Sequence, residues 1–114
     1  MMRVIIIVCS FFLLAGLTNT YLAQTTGKDI FTMVKGPYGT CNTCHPAGGS
    51  AGKWDSEFQE ISEDGDRKIP TLIGIGKKKT PDQLENIIKV MMTKYKVPVK
   101  AAQLKALVDY VSKL

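Results

Sequence analysis

The chain has 114 residues and a formal net charge of +5 at pH 7, a length that fits a single domain. A domain of this size buries only a thin core and usually needs a staple. Its basic residues lack an established nucleic-acid-binding motif, and past the opening segment no stretch is apolar enough to span a bilayer.

The chain opens on a short basic start, Met1-Met2-Arg3, followed by the apolar run Val4 to Leu17 and then polar and small residues. That order is the n-, h- and c-region pattern of a secretory signal peptide. Residues 1–23 are therefore expected to be a leader, with cleavage after Ala23 or Thr20, and an uncleaved anchor is the alternative. Residues 24–114 form the mature domain, soluble and periplasmic, with a membrane tie only if the leader stays. Cys9 leaves with the leader, so Cys41 and Cys44 are the only cysteines of the mature chain.

Asp29 to Val34 reads as a short helix with Ile30, Phe31 and Val34 on one face, broken by Lys35-Gly36-Pro37-Tyr38-Gly39. Lys53 to Glu60 reads as a second short helix carrying Trp54 and Phe58, and IPTLIGIG as an apolar loop. Thr80-Pro81-Asp82-Gln83 is a helix start, with Thr as N-cap, Pro at the first helical position and Gln three after the cap. Leu84, Ile87, Ile88, Met91 and Tyr95 follow at the spacing of one helical face, and Val97-Pro98 ends it. A last helix is expected from about Lys100 to Lys113, with Leu104, Leu107, Val108 and Val111 inward. No strand is evident, so the expected fold class is all-α, with long loops.

The chemistry lies in Cys41-Asn42-Thr43-Cys44-His45, a C-x-x-C-H run, which is the attachment sequence for a covalent c-type haem. Two thiols two residues apart on a helical turn can each reach one vinyl group along one porphyrin edge. The following His then turns its ring under the metal, with Nε2 on the iron and Nδ1–H needing an acceptor. A zinc site would need two more Cys or His ligands, and residues 24–114 hold none. A thioredoxin-like thiol pair would sit in a βαβ context, which the pattern lacks. A plain disulfide would leave the adjacent His45 as coincidence. One covalent haem c would also supply the staple.

With this motif the chain resembles the small class I cytochromes c, from about Gly27 to Leu114. Gly27 and Phe31 look like the family's first-helix Gly and aromatic, and Leu107 and Tyr110 like their partners on the last helix. The resemblance implies a cytochrome c fold of three to five helices around the haem. It also implies that the Pro70 carbonyl accepts the His45 Nδ1–H bond. MVKGPYGT, between Phe31 and Cys41, is an insertion relative to that pattern.

His45 is the only histidine, so a second axial ligand from this chain must come from methionine. Met33 is close to the motif in sequence and cannot easily cross to the far face. Met91 and Met92 lie shortly before the last helix. A thioether favours ferrous iron and raises the potential. Met91 shares a helical face with Leu84 and Tyr95, and Met92 is the alternative. The stretch from Val90 to Val111 is also similar to the cytochrome c subunits of sulfite dehydrogenases and of some quinohaem amine dehydrogenases, where a Met precedes a Tyr by four residues, as Met91 precedes Tyr95.

Acidic residues gather between Asp55 and Asp66, while Lys77, Lys78, Lys79, Lys89, Lys94, Lys96, Lys100 and Lys105 follow later. The expected charge dipole would steer a redox protein partner with an acidic docking surface. Trp54 and Tyr38 are candidates to pack on the haem or bond a propionate, or are simply core. No acid, base or nucleophile constellation appears, so the chain reads as an electron carrier and not an enzyme. The rival readings are a haem subunit of an oxidoreductase complex and a cytochrome that binds nitric oxide or carbon monoxide at an open sixth site.

Overall fold

The computed structural model describes residues 26–114; the leader expected over 1–23 lies outside the described residues. Helix α1 (Gly27–Met33) starts at a capping box. The Asp29 N–H donates to Thr26 Oγ1 at 3.2 Å, and the Thr26 N–H donates to Asp29 Oδ2 at 3.1 Å. Two of the helix's orphan donors are thus satisfied, and the helix starts two residues earlier than the apolar pattern alone implies. It buries Ile30 and Phe31 and stops before Gly36-Pro37, where a tight turn pairs Gly36 with Gly39.

Helix α2 (Cys41–Cys44) is a single turn, its start tied by Thr43 Oγ1, which accepts the Thr40 N–H at 2.9 Å. A 3₁₀ turn, Pro46–Gly48, follows. Then come three short strands, β1 (Lys53–Asp55), β2 (Glu60–Ile61) and β3 (Arg67–Lys68), in antiparallel order β2-β1-β3. This corrects the helix expected over Lys53 to Glu60 and adds a small sheet of short strands to a largely helical chain. The cause is local. Asp55 Oδ1 accepts the N–H groups of Glu57 and Phe58 at 2.9 and 3.0 Å, a side-chain turn that competes with helical bonding. Gln59 then takes a positive φ of 55° and turns the chain back. From the far side Asp66 accepts the Ser56 N–H at 2.7 Å, and that bond holds its carboxyl below the ordinary range.

Helix α3 (Pro81–Lys94) has the capping box its sequence implies, with Thr80 and Gln83 exchanging bonds of 2.9 and 3.3 Å. It ends where Tyr95 donates to the Met91 carbonyl and Lys96 turns to φ 54°. Helix α4 (Ala101–Ser112) buries Leu104, Leu107, Val108 and Val111. These pack with Ile30, Phe31, Leu84 and Val99 into the main core. Among the described residues, no helix is long and apolar enough to cross a membrane.

Helices α1 and α4 cross at Gly27. A Cβ there would stand 2.2 Å from the Ala106 carbonyl oxygen and 2.5 Å from Tyr110 Cβ. Phe31 and Tyr110 then meet in a tilted pair, ring centroids 5.4 Å apart. Glycine is normally a weaker helix former than alanine by up to about 1 kcal/mol, but backbone cannot yield to a Cβ at this distance. Gly27→Ala is therefore expected to destabilise the domain by about 1–3 kcal/mol, seen as a melting temperature lower by several degrees in thermal denaturation.

Candidate functional site

The C-x-x-C-H segment, the Pro70 loop and the end of α3 converge on one largely apolar cavity of about 420 Å³, within the size range of small-molecule and cofactor sites. Cys41 and Cys44 line it from α2 and His45 from just past that helix's end, and Ile69, Pro70, Leu72 and Ile75 from the segment that follows β3. Phe31, Leu107 and Val111 carry the α1–α4 core up to its wall. The cavity is thus continuous with the core, and the crossing at Gly27 sets the position of that wall.

The apolar stripe of α3 divides in two. Leu84 is buried, and Ile88 and Met92 pack against the core cluster. Ile87, Met91 and Tyr95 run alongside, one helical row away, and both rows line the cavity. Met92 is half-buried, between the cavity and the core cluster. Met91 keeps 40% of its surface exposed. Met33 is 72% exposed and takes no part in the cavity wall.

Cys41 and Cys44 carry free thiols. Burial pushes both thiols above their ordinary value, and in Cys41 the neighbouring Cys44 adds to the rise, while a backbone hydrogen bond opposes it. Reactive Cys-x-x-Cys pairs need the opposite shift, so the environment does not favour a thiolate nucleophile. Among the described residues, no three His, Cys, Asp or Glu side chains are grouped to hold a metal ion.

His45 Nδ1 lies 3.2 Å from the Gly49 carbonyl oxygen. A carbonyl only accepts, so this bond places the proton on Nδ1 and leaves the Nε2 lone pair free. Burial pushes the imidazole below its ordinary value, and the carbonyls of Gly49 and, more weakly, Pro70 oppose that fall. The resemblance assigns the Nδ1–H acceptor to Pro70. The 3.2 Å bond is made to Gly49, and the Pro70 backbone is a second, weaker hydrogen-bond partner of the ring that also lines the cavity.

The sequence does not signal the aromatic group on the cavity's other side. Trp54 is 5% exposed and meets Tyr95 edge-on at 5.4 Å and Tyr38 at 5.9 Å; Tyr38 and Tyr95 meet at 6.4 Å. The inserted MVKGPYGT segment supplies Tyr38, and its Gly36 packs on the Tyr95-Lys96 backbone. Arg67, Lys68 and Lys94 are exposed at the cavity's edge, and Lys94 Nζ lies 5.5 Å from the centre of the Tyr95 ring. Compared with protein-family models, with curated proteins and with solved structures, the chain matches none of them.

Edge-to-face pairs of this kind add about 0.5–1.5 kcal/mol each beyond the area they bury. Trp54→Ala removes the two pairs that meet at Trp54 and is expected to cost about 3–5 kcal/mol. Trp54→Phe keeps an aromatic ring and is expected to cost clearly less. Urea denaturation followed by circular dichroism would order the three proteins.

Proposed function

We propose that this chain is an exported mono-haem c-type cytochrome that carries single electrons between redox proteins. The observation that supports the reading is the one cavity into which the sequence motif and the α3 methionines both project: Cys41, Cys44 and His45 from α2 and its end, Met91 and Met92 from α3. The donor set fits a covalently held haem. Two free, half-buried thiols stand a helical turn apart on the cavity wall and would be the groups that join the haem. His45 keeps Nε2 free for iron because Nδ1 is engaged by Gly49. The apolar wall excludes water and disfavours added charge, two of the levers that set a haem potential.

Bound haem supplies an iron that cycles between the ferric and ferrous forms. In this reading Cys41 and Cys44 would hold the group covalently, and His45 and Met91 would be the residues that bind its iron. Both methionines line the cavity; Met91 is preferred because it lies in one helical row with Ile87 and Tyr95, whereas Met92 is partly buried and packs against the core cluster as well. No residue is assigned a catalytic role. The exposed lysines Lys77, Lys78, Lys79, Lys89, Lys94 and Lys96 would steer an acidic partner.

A second reading is the haem subunit of a larger oxidoreductase, which the likeness of the segment from Val90 to Val111 to such subunits motivates. A second chain that co-purifies and elutes with this one at physiological concentration would favour this reading over the free carrier.

The visible spectrum of the purified protein, ferric and ferrous, with and without carbon monoxide, tests the carrier reading. Expected are low-spin spectra of c type, a weak ferric sulfur-to-iron band at the red end and no carbon monoxide shift. A high-spin ferric form or a prompt carbon monoxide complex would move the assignment to gas binding, and an absence of covalent haem would overturn it altogether. Met91→Ala is expected to lose the red-end band and to bind carbon monoxide in the ferrous form. Met92→Ala is expected to keep the band and to lose stability, by about 2–5 kcal/mol if its site behaves as core. The reverse pattern would assign the ligand to Met92.

A further inference from the structure

We infer that Asn42, between the two cysteines, is a positioning residue for His45; the inference rests on the haem reading above. Asn42 Oδ1 accepts the Ala47 N–H at 3.0 Å, linking the cysteine turn to the segment that follows His45. Ala47 lies in the left-handed region, φ 52° and ψ 29°, which disfavours a residue with a Cβ. The conformation therefore needs support, and the Asn42 bond falls on the strained residue itself. Around it the turn is closed by backbone alone, with Gly48 donating to His45 and Gly49 to Pro46 at 2.8 and 2.9 Å. The Gly49 carbonyl comes back against His45 Nδ1 as the outcome of this turn. A looser Ala47 would move that carbonyl, and with it the bond that fixes ring orientation and raises the basicity of the ligand nitrogen.

The link is accessible to solvent, so water can replace it and its loss should cost little global stability. Its effect falls on the ring. A weaker Nδ1–H bond makes the imidazole a poorer donor, so the ferric form is less stabilised and the reduction potential rises.

The test uses the full-chain holoprotein with Asn42→Ala, with Asn42→Ala combined with Ala47→Gly, and with Asn42→Ser. Reduction potential, melting temperature and exchange of the His45 Nδ1 proton in the reduced, diamagnetic protein are measured. Asn42→Ala is expected to raise the potential at nearly unchanged melting temperature. It should also speed proton exchange severalfold, by at most about tenfold, the size of one net hydrogen bond. Ala47→Gly in that background should bring both readouts back, because glycine adopts the left-handed conformation unaided. Wild-type potential and exchange in Asn42→Ala would overturn the inference, as would failure of Ala47→Gly to reverse the change. If Asn42→Ala does not accumulate, Asn42→Ser, whose shorter side chain cannot span the same gap, takes its place: a raised potential with faster exchange supports the inference, and wild-type values overturn it. A wild-type chain without covalent haem would instead overturn the haem reading. In that case nitrogen NMR of the single histidine still decides for Asn42: a shift of the proton from Nδ1 on Asn42→Ala supports its positioning role, and no shift refutes it.

Discussion

The approach of α1 to α4 at Gly27 is the contact on which the rest of the molecule depends. With no Cβ between the Gly27 backbone and the Ala106 carbonyl, the two helices come close enough for Ile30 and Phe31 to meet Leu107 and Val111 in one core. The outer side of that core is the wall of the cavity. Nearly everything else is hung on this pair. The cysteine turn follows α1 through a tight loop, and α3 packs back against α4. The position of the sulfur and imidazole groups is thus set by a contact that carries no chemistry of its own.

The environment built on this frame favours neutral groups. Both thiols are pushed toward their protonated form and the imidazole toward its uncharged form, each chiefly by burial. Charge is displaced to the edge, where Arg67, Lys68 and Lys94 stand at the cavity's rim. An apolar interior with a basic edge suits a large flat apolar group that carries acidic substituents. The same separation would hinder a hydrolytic or thiolate mechanism.

Much of this was legible in the sequence where a residue's role depends on its neighbours in the chain. Thr80 and Gln83 announce α3 because capping is a local exchange of hydrogen bonds, and the C-x-x-C-H spacing announces the site because its geometry is that of one turn. The Met91-Tyr95 spacing falls on one cavity-lining row for the same reason. The segment after Lys53 misled because Trp54 and Phe58 lie at helical spacing, while the deciding interaction, Asp55 capturing two backbone N–H groups, is a competition that apolar periodicity does not register. Trp54 and Tyr38 could be named singly, but the Tyr38–Trp54–Tyr95 group could not, for another reason. Its members come from three segments, and only the tertiary fold brings them together. Gly49 escaped notice because a backbone carbonyl leaves no mark on residue identity.

The divided stripe of α3 has a consequence for how this segment can change. Leu84, Ile88 and Met92 form one row and Ile87, Met91 and Tyr95 the next, both anchored to a start fixed by the Thr80 cap. Substitutions within a row trade one apolar side chain for another and leave the rows where they are. An inserted or deleted residue between Gln83 and Ile87 is a different kind of event. It turns everything beyond it by about 100°, so the core row swings out and the thioether that faced the cavity faces elsewhere. The helix can therefore drift in composition but not in length, because its phase is counted from a single threonine.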